Sequence, residues 1–300
     1  MNPINKLIVA IIPLFPKKVV RIFANRYIAG DNINDAVKKV IELNSKSIIA
    51  TMDVLGESIK DKEEAVQSKN ESLEVLEYIN KHNLNSNLSV KLTMLGLTID
   101  EGLCLELLTE IVEKAKDLNN FVRIDMEDSS VTEKTIQIYE TLRKKYNNVG
   151  LAIQAYMKRT LNDVIRLTKE KANFRLCKGI YVEPKEIAYK KRDEIRENFL
   201  KALEIMLKRG AYVGIATHDI FLIEKSKKMI EELNIPKEKY EFQMLLGVKE
   251  NLRNKLVKEG YKMRIYVPFG IRWYQYSMRR FKENPNVAGQ VLKALITFRR

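Results

Sequence analysis

Cysteine is nearly absent from this chain: its 300 residues include only Cys104 and Cys177, and the two form no CxxC pair. That excludes a disulfide framework and disfavours a zinc site, so a reducing, cytoplasmic compartment is expected and no metal is. Proline is also scarce, at seven, while 45% of residues are apolar and 31% charged, so nothing reads as disordered. No GxGxxG follows the first strand or occurs elsewhere, which removes the dinucleotide fingerprint of an open doubly wound sheet. Long apolar runs are missing too. The N-terminal run from Leu7 to Phe15 is broken by Pro13 and followed by Pro16, well short of the ~20 residues of a spanning helix. It lacks a small-residue cleavage site, so no signal peptide is expected, and only a weak interfacial anchor stays open.

What is present is a large apolar complement and an excess of positive charge. The length admits two domains of ~150 residues or one barrel of ~250. A net charge of +14 raises nucleic acid or anionic lipid as partners. Most lysines, however, alternate with acids in helix-like stretches such as Lys60 to Glu64, Lys190 to Glu197 and Glu224 to Glu232, the pattern of solvated helix faces. No aromatic-rich basic stripe and no known nucleic-acid motif accompanies them, so no nucleic-acid partner is expected. A peripheral contact with the inner face of an anionic membrane stays open.

After a short helix at Asp35 to Asn44, short apolar runs alternate with long amphipathic ones. The strand candidates are Ser47 to Met52, Leu88 to Leu92, Phe121 to Asp125, Val149 to Gln154, Phe174 to Cys177, Tyr212 to Ala216, Tyr240 to Leu245 and Met263 to Val267. Between them, spacings such as Leu103, Leu107, Ile111, Ala115 and Ile195, Phe199, Ala202, Met206 carry the helical period. Eight βα units with strands apolar on both faces predict an α/β fold, a (β/α)8 TIM-type barrel. No linker divides the chain. The expected organisation is an N-terminal helical extension over 1–45 and a single catalytic barrel over 46–300, with a last helix over the barrel mouth.

Barrel chemistry gathers at the C-terminal ends of strands, and here those ends are unusually polar. They offer Lys91, Asp125, Gln154, Arg175, Lys178, Gly179, Tyr181, Thr217, His218, Gln243, Leu245 and Tyr266. Buried Lys91, Arg175 and Lys178 require anions, Asp125 and otherwise ligands. Beyond the last strand, a helix from Arg272 onward would put Tyr274, Met278 and Phe281 on a packing stripe. The opposite stripe would hold Tyr276, Arg279, Arg280 and Glu283, suited to clamping a small carboxylate or phosphate.

The order SVKLT, RIDMED, QAY, RLCKGIY, ATH, YEFQML, RIYVPFG and YxxRRxxE, from about Ala50 to about Asn284, resembles proline dehydrogenase in its short single-function bacterial form. The resemblance implies FAD-dependent oxidation of L-proline to Δ1-pyrroline-5-carboxylate, with electrons passed to a quinone. It also implies that Arg279 and Arg280, with Lys91, hold the substrate carboxylate, and that Asp125, Tyr181, Leu245, Tyr266 and Tyr276 line the substrate. The flavin contacts it implies are Gln154, Arg175, Cys177, Lys178, Gly179, Thr217, His218, Gln243 and Glu283, while Glu57 pairs with an arginine and gates the site. At Gly179 a close approach of backbone to cofactor is the expected reason for glycine. Cys177 stands where the family usually has a branched aliphatic, Ile180 where alanine is frequent, and Val182 where longer, fused members have tryptophan. Two further readings remain: a Schiff-base aldolase or lyase using Lys91 or Lys178, and a basic binding module for nucleic acid or membrane.

Overall fold

The structure is a computed structural model that describes residues 17–56, 59–168 and 172–283; side chains at 17–19, 23 and 279–283 lie outside the description. Its strands are β1 (Ile49–Val54), β2 (Ser86–Val90), β3 (Val122–Ile124), β4 (Val149–Gln154), β5 (Asn173–Cys177), β6 (Tyr212–Ala216), β7 (Tyr240–Leu245) and β8 (Met263–Phe269). All pair in parallel, in chain order, and β8 closes on β1 with Thr51 opposite Tyr266. Among the described residues two helices, α1 (Lys17–Ala24) and α2 (Ile33–Asn44), precede the barrel. Each strand is then followed by a helix: α3 (Lys62–Lys81), α4 (Glu101–Asp117), α5 (Ser129–Arg143), α6 (Thr160–Leu167), α7 (Arg192–Lys208), α8 (Ile220–Glu232), α9 (Glu250–Lys258) and α10 (Trp273–Glu283). The eightfold barrel read from the alternation is the observed fold.

Local chemistry sets the helix limits. Asp61, Asp100, Asp128 and Asp219 accept backbone N–H bonds as N-caps of α3, α4, α5 and α8, each satisfying a donor that the first turn leaves open. At the other ends Asn83, Asn119 and Asn234 take the left-handed conformation just past α3, α4 and α8, a backbone state that asparagine tolerates.

The strands are not apolar on both faces. One face of each, including Met52, Leu88, Ile124, Leu151, Phe174, Ile215, Phe242 and Ile265, is buried in the main hydrophobic cluster with the inner sides of the helices. The alternate residues Thr51, Asp53, Asn87, Ser89, Arg123, Arg175, Glu241, Gln243 and Arg264 are polar, and they hydrogen-bond to one another or to backbone around and across the barrel. The period of two places a wet chemistry inside and an apolar one outside. It makes the apolar shell between sheet and helices, rather than the barrel axis, the seat of the core.

Some boundaries differ from expectation. β2 ends at Val90 and β3 at Ile124, so Lys91 and Asp125 stand just beyond their strands, on the mouth side. β8 continues through Pro268 to Phe269, so Tyr266 lies inside the strand and does not end it. On α10 the buried positions are Tyr276 and Ser277, whereas Tyr274 and Met278 are only half-buried. The expected packing stripe is therefore displaced onto Tyr276. Arg21 stacks over the Trp273 ring at 4.8 Å, which ties the start of α10 to α1.

Candidate active site

At the mouth, side chains from β2, β5 and β8 converge on Asp125. Its Oδ1 accepts from Ser89 Oγ at 2.8 Å and from Arg175, and its Oδ2 accepts from the Tyr266 hydroxyl at 2.7 Å. Lys91 Nζ lies 3.6 Å from Asp125, donates to Asp53 Oδ1 at 2.7 Å and donates to the Tyr266 oxygen at 3.2 Å. Arg175 also donates through Nε to Gln243 Oε1 at 2.8 Å, and its guanidinium stacks 5.1 Å from the Tyr266 ring centroid. Gln243 in turn donates to Glu241 at 2.6 Å, and Arg264 and Tyr212 bind the same carboxylate. Gly214 opposite leaves the room for Gln243: a β-carbon there would stand 2.2 Å from its amide nitrogen.

The electrostatics follow from burial and pairing. Burial opposes ionisation of Asp125, but Arg175 and Lys91 outweigh it and hold the carboxyl below the usual carboxylate range. Burial also disfavours the Lys91 ammonium, yet Asp53 and Asp125 overcome that and raise its pKa. Asp53 is different: burial raises it, with Lys91 opposing and Asp125 adding to the rise. The Tyr266 phenol is pushed up by burial and by both aspartates, so it acts as a hydrogen-bonding group and not as an acid. An amine that forms a Schiff base must be neutral to attack. Lys91, held as an ammonium, is unsuited to the aldolase reading.

The other expected residues fall around this centre. Gln154 is buried and donates to the Glu127 carbonyl at 2.7 Å. Thr217 accepts from the Asp219 N–H at 3.1 Å, and His218 Nε2 accepts from the Leu245 N–H at 3.0 Å, across the ends of β6 and β7. Lys178 Nζ sits 3.5 Å from Asp219, which Arg196 holds with two bonds of 2.7 and 2.9 Å. Cys177 donates to the Ile153 carbonyl at 3.4 Å, and burial pushes its thiol up to about 11, so it is a packing group and no thiolate. Tyr181 is half-buried and near enough to Lys91 to act on its charge. Leu245 pairs with Tyr266 across β7 and β8, and Tyr276 is buried on α10. Glu57 lies outside the described residues. Arg279, Arg280 and Glu283 belong to α10, but their side chains lie outside the description.

Gly179 has a reason for being glycine within the chain itself. Its φ is +104°, and a β-carbon there would stand 2.2 Å from the Tyr156 ring. Glycine is needed by the backbone conformation and by a neighbouring side chain of this same chain, without appeal to a cofactor.

Three buried acids of the barrel interior and its mouth were missed by sequence reading. Asp53 ends the polar alternation of β1, and Glu241 precedes Gln243 by one polar step in β7. Glu127 accepts from the Thr93 N–H at 3.0 Å and from its hydroxyl at 2.6 Å. The alternation T-x-D in β1 and E-x-Q in β7 carried the signal for two of them. A cavity of about 530 Å³ opens at the opposite, N-terminal end of the barrel and is lined by Asn87, Arg123, Glu241 and Arg264 among others.

Asp125 gives a pH-dependent prediction. Its folded pKa is depressed, so the stability it contributes is present above the ordinary carboxylate value and is lost as pH falls through the folded one. Asp125→Asn leaves Arg175 and Lys91 short of their anion and is expected to cost about 3–5 kcal/mol at pH 7. The gap from wild type should narrow as pH drops below ~4. Urea unfolding of both proteins between pH 7 and 3.5 reads this, and a constant gap refutes it.

Comparison with known proteins agrees with this geometry. The family model for proline dehydrogenase matches residues 36–293. The chain is 40% identical over 276 residues to proline dehydrogenase 1 of Bacillus subtilis, covering 92% of this chain and 91% of that protein. It is 32% identical to proline dehydrogenase of Deinococcus radiodurans, covering 91% and 90%. Among solved structures, proline utilization A from Bdellovibrio bacteriovorus, inactivated by N-propargylglycine, superposes with a TM-score of 0.82 at 26% identity, over 88% of this chain and 32% of that longer one. With a closed barrel whose mouth carries these residues, and a match over nearly its whole length, the chain belongs to the proline dehydrogenase family.

Proposed function

We propose that the chain oxidises L-proline to Δ1-pyrroline-5-carboxylate with noncovalently bound FAD, and that the electrons leave for a quinone. Proline dehydrogenase activity is the family's. The observation that carries the finer reading is the Lys91–Asp125–Arg175–Tyr266 cluster at the mouth, where an ammonium with one donor beyond its two hydrogen bonds stands beside a phenol and a carboxylate. In this reading Lys91, Arg279 and Arg280 hold the carboxylate of proline. Tyr181, Leu245, Tyr266 and Tyr276 enclose its ring and exclude water, fixing the reacting carbon.

The residues present fit a flavin. Lys178 and Arg196 share the single carboxylate of Asp219 within 4 Å, apart from the highly exposed Asp193, and Ile180, Val182, Ile220 and Phe221 are exposed beside them. One rim thus offers cations for phosphates and apolar surface for rings. Gln154, Arg175, Cys177, Lys178, Gly179, Thr217, His218, Gln243 and Glu283 are assigned to the cofactor. When bound, FAD supplies the hydride acceptor, and the protein supplies position and electrostatics. A quinone is dissolved in lipid, so a cytoplasmic protein touching the inner face of an anionic membrane is part of the same reading, and the charge of +14 favours it. Among the described residues no helix is long and apolar enough to cross a membrane.

The purified protein should be yellow, bleach with L-proline under anaerobic conditions, and release its colour on acid precipitation. A colourless protein, or one trapped by borohydride with substrate, would return the Schiff-base reading. Replacing Arg279 or Arg280 with Met removes a charge-assisted contact of about 1.5–3 kcal/mol, so kcat/KM should fall tenfold to hundredfold with flavin content kept. Unchanged kinetics would remove both arginines from the substrate.

Tyr266 is pinned by Asp125 and Lys91, so its ring cannot yield to a bulkier substrate. L-proline should be strongly preferred over trans-4-hydroxy-L-proline. Tyr266→Ser should weaken proline turnover and narrow the gap in kcat/KM between the two. A ratio equal to that of the wild type would place Tyr266 away from the substrate ring.

A further inference from the structure

Asp53 is the most enclosed acid of the mouth, and the reaction as proposed gives it no task. One of its oxygens, Oδ1, accepts from Lys91 at 2.7 Å; the other, Oδ2, is buried and has no hydrogen-bond partner among the described residues. A buried carboxylate oxygen without a donor is costly when charged and comfortable when it bears a proton. Its side chain is 2% exposed, against 15% for Lys91 and 13% for Asp125.

Between Asp53 and the more open Asp125 runs an unbroken file. Lys91 Nζ donates to Asp53 and, at 3.2 Å, to the Tyr266 oxygen, and the Tyr266 hydroxyl donates to Asp125 Oδ2 at 2.7 Å. The charged and titratable groups facing the file are Lys91 beyond β2, Asp125 beyond β3, Arg175 on β5 and Tyr266 on β8, with Tyr181 and Glu127 acting on Lys91. In the free protein, two cations stand against two carboxylates. A substrate carboxylate at Lys91 adds a third anion to the same ammonium.

We propose that Asp53 is the proton store of the site, taking up one proton when a carboxylate ligand engages Lys91. Lys91 passes a proton along its 2.7 Å bond to Asp53 and, with 15% of its side chain exposed, is refilled directly at the mouth by the ligand's ammonium or by water, while Tyr266 and Asp125 keep their hydrogen bonds. The sum is one proton moved from the mouth to Asp53, with every intermediate group restored. For an amino-acid substrate the proton is the one the ring ammonium must lose before a C=N bond can form. For a ring carboxylate without an amine it comes from water. The inference rests on the reading that the substrate carboxylate meets Lys91.

The probe is tetrahydro-2-furoate, a ring carboxylate with oxygen in place of the amine, added to the flavin-loaded enzyme in weakly buffered solution near neutral pH with a pH indicator. Wild type should take up close to one proton per ligand bound, and a protonated-carboxyl infrared band should appear on binding. Asp53→Asn, which keeps the shape and the Lys91 contact, should bind the ligand within about tenfold, take up no proton and show no new band. Saturating binding to wild type with neither uptake nor band overturns the proposal, as does full uptake by Asp53→Asn. If that variant does not fold, the wild-type band decides alone. Failure of the ligand to bind wild type at all would instead refute the carboxylate reading of Lys91, on which the proposal stands.

Discussion

The ion pair of Asp125 with Arg175 is the interaction on which the barrel mouth depends. An isolated charge buried at this depth costs several kcal/mol, and two of opposite sign offset that cost only where each is fully hydrogen-bonded. Asp125 meets the condition with four partners drawn from three directions: Ser89, Arg175, Tyr266 and, at longer range, Lys91. Removing any one member would strand the others, so strands far apart in sequence must keep their register. That register is in turn held by the apolar outer faces, where Phe174, Phe242, Leu88 and Met52 are fully buried against the helices. The stability lies in the shell, and the charges inside spend part of it on geometry.

This division explains what was legible in the sequence. Eight short runs separated by amphipathic stretches are enough to see a βα repeat, and β4, β6 and β7 fall where their apolar composition put them. Lys91 and Asp125 were visible because they stand just past strand ends, and Arg175 and Gln243 because they lie within two residues of one, where a polar residue in an apolar run is conspicuous. The same habit of reading strands as uniformly apolar hid the interior. Thr51, Asn87, Arg123, Glu241 and Arg264 sit mid-strand, and each looked like an interruption when it was one beat of a regular alternation. Asp53 was hidden for the same reason.

Other differences came from interactions that a single stretch of sequence does not contain. The helical period on α10 gives two stripes but not which one meets the barrel. The start of α10 is placed by α1, whose Arg21 stacks on Trp273, and by the loop after β1, where Arg272 lies 3.6 Å from the place a β-carbon on Gly56 would occupy, and it is Tyr276 and Ser277 that end up buried. Likewise the glycine at 179 suggested a close approach, and one approach lies within the chain, to Tyr156, distant in sequence and brought in by the β4–β5 pairing.

The two layers of the polar interior have unequal freedom, and that inequality is what suits the mouth to chemistry. In the lower layer Glu241 is held by Arg264, Tyr212 and Gln243, while Arg123 is satisfied by the Asn173 and Leu151 carbonyls. Burial, with Arg175 adding to it, pulls the Arg123 pKa down to about 9, still well above neutrality, so this layer keeps its charges at physiological pH. Gln243 transmits its fixed orientation upward: with its amide nitrogen on Glu241, its oxygen must face Arg175 Nε, and this aims the guanidinium at Asp125. The upper layer inherits the geometry yet retains a partly exposed Lys91 and Asp125. Because the lower layer also separates the mouth from the cavity at the N-terminal end, whose lining it shares, the opening above is the one from which a substrate can meet Lys91.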